Sequence, residues 1–110
     1  MSHLPTCEVL QRVSDTLVAR RTASPETSYT AQLFSKGTDA ILRKIGEEST
    51  ELILAGKDGK QLQRVREAAD VVYHVMVLLA YHDLSIEDVL LEFRRREGIS
   101  GIDEKKSRGA

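Results

Sequence analysis

The sequence predicts an all-α protein: a helical bundle of four main helices, forming one domain over residues 1–110 and completed by homodimerisation. Three observations predict it. Valine and isoleucine recur at helical spacings of three and four, with neither strict alternation nor an Asn-Gly hairpin turn to mark strands. Capping residues and glycines punctuate the chain at helix-length intervals. At 110 residues the chain buries only about two thirds of its unfolded surface, so a second copy supplies part of the missing interior.

The first helix is expected from Thr6, as N-cap, to about Arg21, with Val9, Leu10, Val13, Leu17 and Val18 along one face. Thr22 to Ser28, which contains Pro25, reads as a linker. Tyr29 to Ser35 makes a short helical turn ended by Gly37. Thr38 or Asp39 then caps a second long helix to about Ala55, stopped by Gly56 and the Asp58-Gly59 pair. A third runs from about Lys60 to His82. The fourth runs from the capping box Ser85-Ile86-Glu87-Asp88 to Glu97, with Arg94, Arg95 and Arg96 at the negative end of its dipole and Gly98 as its stop. The core is thus expected over about residues 6–97. Residues 98–110 have little to bury and read as a flexible tail.

Charge and composition narrow the function classes. Sixteen basic residues against 17 acidic ones give a formal charge of −1, which supports neither a nucleic-acid groove nor an anionic membrane surface. Ala68 to Tyr81 is the most apolar stretch, but at about 14 residues, with Asp70 and His74 inside it, it is too short and too polar to span a bilayer. The lone Cys7 has no partner for an internal disulfide and reads as a small packing residue. Met1 to Leu10 carries neither a basic leader nor a long apolar run, so a cytoplasmic location is expected.

The acidic residues carry the functional signal. On the second long helix Ile41, Leu42, Ile45 and Leu52 share a direction. Glu48 falls about 60° from its centre, Glu51 flanks the same side one turn on, and Glu47 points further outward. The third helix is apolar around almost its whole circumference from Ala68 to Leu79, which predicts burial, yet Glu67, Asp70 and His74 form one polar stripe on it. A turn of about four residues makes the two helices antiparallel. At about 1.5 Å per residue, Glu48 and Glu51 then stand at the level of Glu67 and Asp70. Four hard oxygen donors facing each other suit a divalent cation, magnesium where phosphate also binds. The competing reading pairs these acids with Arg43, Lys44, Arg64 and Arg66 in solvated salt bridges.

The pattern Glu47-Glu48-x-x-Glu51, then 15 residues, then Glu67-x-x-Asp70 resembles the acidic signature of the all-α nucleoside triphosphate pyrophosphatases of the MazG-like superfamily. More narrowly, Ser28-Tyr29-Thr30-Ala31, Lys36-Gly37, Lys44-Ile45-Gly46-Glu47-Glu48, Ala55-Gly56-Lys57 and the run Glu67 to His74 are similar to the phosphoribosyl-ATP pyrophosphatase family of histidine biosynthesis, over about residues 8–97. Gln32 and Phe34 depart from it, standing where the family often has a basic and an aliphatic residue. The resemblance implies a helical homodimer that uses Mg2+ to hydrolyse the α–β phosphate bond of 1-(5-phosphoribosyl)-ATP, giving 1-(5-phosphoribosyl)-AMP and pyrophosphate.

Combined with the residues, this points to an in-line displacement by water, with Glu48, Glu51, Glu67 and Asp70 as metal ligands. Glu47, or whichever of the five acids does not ligate, is the candidate to orient or deprotonate the water, and Glu47 and Glu48 are the catalytic candidates. No nucleophilic Ser or Cys motif and no glycine-rich phosphate loop is present. Lys36, Arg43, Lys44 and Lys57 are candidates to meet phosphates. Tyr29 either touches base or ribose or serves packing, and His74 is expected to hydrogen-bond an acid of the cluster rather than to ligate. Two rivals stand beside this reading: a house-cleaning pyrophosphatase of the same superfamily acting on ordinary or damaged nucleotides, and a non-catalytic helical dimerisation module.

Overall fold

A computed structural model describes residues 7–109; the Thr6 cap and the packing of the Cys7 side chain lie outside what it describes. The described residues form six helices and no strand: α1 (Cys7–Arg20), α2 (Tyr29–Lys36), α3 (Thr38–Asp58), α4 (Gln61–Tyr81), α5 (Ile86–Arg95) and α6 (Gly101–Ser107). The all-α class and the four long helices agree with the sequence expectation.

Local chemistry sets the boundaries. Ser28 is extended, and its Oγ accepts from the Ala31 N–H at 3.1 Å, starting α2. Gly37 ends it at φ 91°, ψ −171°, a conformation that a Cβ disfavours, and the same residue is the N-cap of α3. The cap expected at Thr38 or Asp39 is therefore displaced by one residue: both already lie inside α3, and no side chain caps it. Gly56 does not stop α3, because a lone helical glycine costs only about 1 kcal/mol. The stop comes at Gly59, whose N–H reaches the Ala55 carbonyl at 2.8 Å and where a Cβ would lie 2.6 Å from that same oxygen. Arg64 Nε donates to the Ala55 carbonyl as well, at 3.0 Å, so α4 folds back directly against α3. In α5, Ser85 Oγ accepts from the Glu87 N–H and the Asp88 carboxylate from the Ser85 N–H, the reciprocal box that the sequence predicts.

The core gathers at one end of the α3/α4 hairpin. Leu17 of α1, Leu33 of α2, Ile41 of α3, Met76, Val77 and Ala80 of α4, and Ile86 of α5 form one buried cluster. Phe34 packs against it and stacks on Tyr81 at 6.5 Å between ring centroids, which gives this departure from the family pattern a packing role. The other half of the hairpin runs beyond the cover of α1, α2 and α5. Leu62, Val65 and Val72 of α4 are exposed there, as are Ile53 and Leu54 of α3. The expectation that α4 is buried all round thus does not hold: only one face of its C-terminal half, through His74, Met76, Val77 and Ala80, is buried, since one chain has too few helices to cover the rest.

The segment read as a tail contains α6. Ser100 Oγ caps it through the Asp103 N–H, and Glu104 is buried, paired with Arg95 of α5 and with Arg108. What α6 buries is an ion-paired carboxylate rather than an apolar face, so its hydrophobic pattern does not reveal it.

Candidate active site

Where α3 and α4 cross from the covered to the uncovered half of the hairpin, Glu48, Glu67 and Asp70 each turn one carboxylate oxygen to a common point, all three within 4.8 Å of one another. Antiparallel pairing produces this directly, because Glu48 and Asp70 stand nearly equal numbers of residues from the Gly59-Lys60 turn. Glu48 and Glu67 are half-buried and Asp70 is exposed, so the group opens to solvent on the α4 side. The Glu67 carboxyl is pushed above the usual carboxylate range, first by desolvation and then by the charges of Asp70, Glu51 and Glu48. Such a donor set, hard, anionic and mutually repelling, fits a divalent cation of the magnesium type.

The remaining acids stand at the margin. Glu51 is exposed and adds no oxygen to the group, although its charge reaches Glu67. Glu47 is more than half exposed and pairs with Lys44 at 3.5 Å. Lys44 is also 3.2 Å from Glu48, and that bond holds its ammonium above the usual lysine range.

Of the four cations in the competing salt-bridge reading, only Lys44 pairs with the cluster. Arg64 is taken up by the Ala55 carbonyl and Gln61, and Arg43 and Arg66 make no salt bridge among the described residues. One ammonium facing three gathered carboxylates leaves most of their charge uncompensated. Lys36, at the end of α2, and Lys57, near the end of α3, are exposed and also without a salt bridge among the described residues. The structure brings neither of them, nor Arg43, into contact with the acids.

Tyr29 and His74 come together from 45 residues apart. The Tyr29 hydroxyl lies 3.0 Å from His74 Nε2, and His74 Nδ1 lies 2.7 Å from the Asp70 backbone carbonyl. His74 therefore does meet an acid of the cluster, but through its main chain. Burial raises the Tyr29 phenol above its ordinary range, opposed by Lys44 and reinforced by Glu48 and Glu47. A parallel bond joins the Thr30 and Tyr73 hydroxyls at 2.6 Å, a pair that sequence reasoning did not single out. Both residues sit in segments noted above as motifs, but nothing local says that Ser28-Tyr29-Thr30 docks on Tyr73-His74.

An all-α hairpin that gathers carboxylates from its two arms at one level has the outline of the all-α nucleoside triphosphate pyrophosphatases, whose acidic motif the sequence resembles. Comparison with known proteins narrows this. The phosphoribosyl-ATP pyrophosphohydrolase family matches residues 10–97. A phosphoribosyl-ATP pyrophosphatase of Dechloromonas aromatica (strain RCB) is 65% identical over 106 residues, 96% of this chain and 98% of its own. Similarity extends to proteins of the same name from Chromobacterium violaceum, 57% identical over 94% of this chain and 95% of theirs, and Azoarcus sp. (strain BH72), 56% identical over 92% and 94%. The chain belongs to the phosphoribosyl-ATP pyrophosphohydrolase family.

Proposed function

We propose that this chain is a hydrolase of histidine biosynthesis that cleaves the α–β phosphate bond of 1-(5-phosphoribosyl)-ATP, releasing 1-(5-phosphoribosyl)-AMP and pyrophosphate. The observation that carries the reading is the carboxylate group of Glu48, Glu67 and Asp70 in a chain of this family. These three residues would hold Mg2+, with Glu51 one turn away as the fourth candidate. When bound, the ion supplies charge neutralisation for the phosphate oxygens.

The chain's own residues account for the rest of the chemistry. Asp70 stands on the open side, where a polyphosphate can approach. Glu47 is next to the group without joining it, and is the candidate to orient or deprotonate the attacking water. Lys44, already at the edge of the acids, is the best-placed cation for a phosphate oxygen. Lys36, Arg43 and Lys57 remain candidates for more distant phosphates, and Tyr29 for base or ribose.

Homodimerisation is supported by one stripe of α4. Leu62, Val65, Ala69, Val72 and Met76 follow each other at spacings of three and four; among the described residues Met76 is buried and the other four are left exposed. A second copy is the proposed cover. No helix among the described residues is long and apolar enough to cross a membrane, and a cytoplasmic location is part of the same proposal.

The test is pyrophosphate release from phosphoribosyl-ATP beside a panel of dNTPs, with and without magnesium. Magnesium-dependent release with a clear preference for phosphoribosyl-ATP is expected. Preference for dNTPs would shift the reading to a house-cleaning pyrophosphatase, and no release from any nucleotide would leave a dimerisation module.

A further inference from the structure

His74 is buried, with 6% of its surface exposed, and both of its ring nitrogens are engaged. The Asp70 carbonyl can only accept, so Nδ1 carries a proton. In a neutral ring Nε2 is then an acceptor, and the hydroxyl of Tyr29 must donate to it. With its one hydrogen committed inward, the Tyr29 oxygen keeps its lone pairs for the outward side. Lys44 is the cation beside this ring: its ammonium lies 6.0 Å from the Tyr29 ring centroid and is in contact with Glu47 and Glu48. Tyr29 as a whole is 47% exposed, so this surface is open to an incoming ligand.

We propose that His74 and Tyr29 are positioning residues for Lys44: the imidazole, locked by the Asp70 backbone, aims the phenol oxygen outward, and that oxygen holds the ammonium at the mouth of the carboxylate group, where it meets a phosphate oxygen of the substrate. The proposal rests on the pyrophosphatase reading for the identity of the substrate. Its geometry applies to any pyrophosphoryl ligand.

Three consequences distinguish this from a packing role. Tyr29→Phe removes one oxygen from a half-exposed ring and is expected to raise KM for phosphoribosyl-ATP about 3- to 10-fold, the worth of one hydrogen bond, while kcat changes less than about twofold. His74→Asn, which retains a donor for Asp70 and loses the acceptor, behaves like Tyr29→Phe; His74→Gln, which retains an acceptor toward Tyr29, recovers most of the loss. In a Lys44→Met background, Tyr29→Phe adds nothing further, because its effect runs through the ammonium.

Calorimetric titration of inorganic pyrophosphate in the presence of magnesium reads the same coupling without turnover, and 15N shifts of His74 report which nitrogen bears the proton. Equal losses on Tyr29→Phe with and without Lys44, or a proton on Nε2 instead of Nδ1, would overturn the proposal. Should a histidine variant not fold, the Tyr29→Phe and Lys44→Met pair decides alone. If the wild type binds pyrophosphate with this coupling but does not cleave phosphoribosyl-ATP, the proposed function fails and the positioning role stands.

Discussion

Glu48, Glu67 and Asp70 repel one another, and among the described residues only Lys44 answers them, so the site works against the stability of the metal-free fold. Glu48→Gln and Asp70→Asn should therefore raise the melting temperature of the metal-free chain while lowering pyrophosphate release by about 100-fold or more. A lowered melting temperature would mean that the acids act through salt bridges. The pH dependence has a definite sign. Because the folded-state pKa of Glu67 is raised, the folded chain binds this proton more tightly than the unfolded one. The metal-free protein should gain stability as pH falls from neutral toward about 5, and saturating magnesium should abolish that gain. Thermal melts across this range, with and without the ion, check it. The three acids were legible in the sequence because helical spacing and a short turn are local facts. The Tyr29–His74 and Thr30–Tyr73 bonds were not, because they depend on how the segment from Arg21 to Ser28 carries α2 back over α4.

Among the elements, α5 and α6 contrast most. The α5 cap could be read from Ser85 and Asp88, and Ser85→Ala should cost about 1 kcal/mol in chemical denaturation. The same Ser-x-x-Asp pattern, Ser100 to Asp103, opens α6, but no apolar periodicity follows it, and α6 is held to α5 through Glu104 and Arg95 rather than by apolar packing. Arg95 and Arg96 also hold the Glu92 carboxyl down to about 2, and Glu104 is lowered by Arg95 and Arg108. Depressed carboxyl pKa values give a contribution that is complete above the unfolded value near 4.5 and is lost as pH falls below it. The 13Cα shifts of residues 101–107 should thus move toward coil values across that window, ahead of the core. Glu104→Gln should produce the same loosening at neutral pH. Shifts unchanged in both experiments would show that α6 has another anchor.

The molecule as a whole is a covered end and an uncovered end of one hairpin. Leu17, Ile41 and Val77 close the covered end, whereas Val65 and Leu62 lie 64% and 58% exposed at the other. A second chain laid along that stripe would shelter apolar surface beside the acids, lower the local dielectric and strengthen their hold on a cation. Val65→Lys should accordingly give a monomer in sedimentation at micromolar concentration and weaken magnesium-dependent activity. A wild-type chain that sediments only as a monomer would contradict the dimer. The sequence signalled this surface as a helix too apolar for one short chain, without indicating which half lies bare.

The sequence by itself determined the helical class, the placement of four long helices and the pairing of Glu48 with Glu67 and Asp70. Periodicity, capping chemistry and a tight antiparallel turn act over a few residues and are written in the order of side chains. Tertiary structure decided which half of α4 is covered, that Glu51 stands apart from the three gathered carboxylates, that Lys44 alone among the nearby cations reaches them, and that α6 docks through a buried carboxylate. Each of these depends on distances between elements far apart along the chain, which are set by how the whole core packs and not by any local spacing.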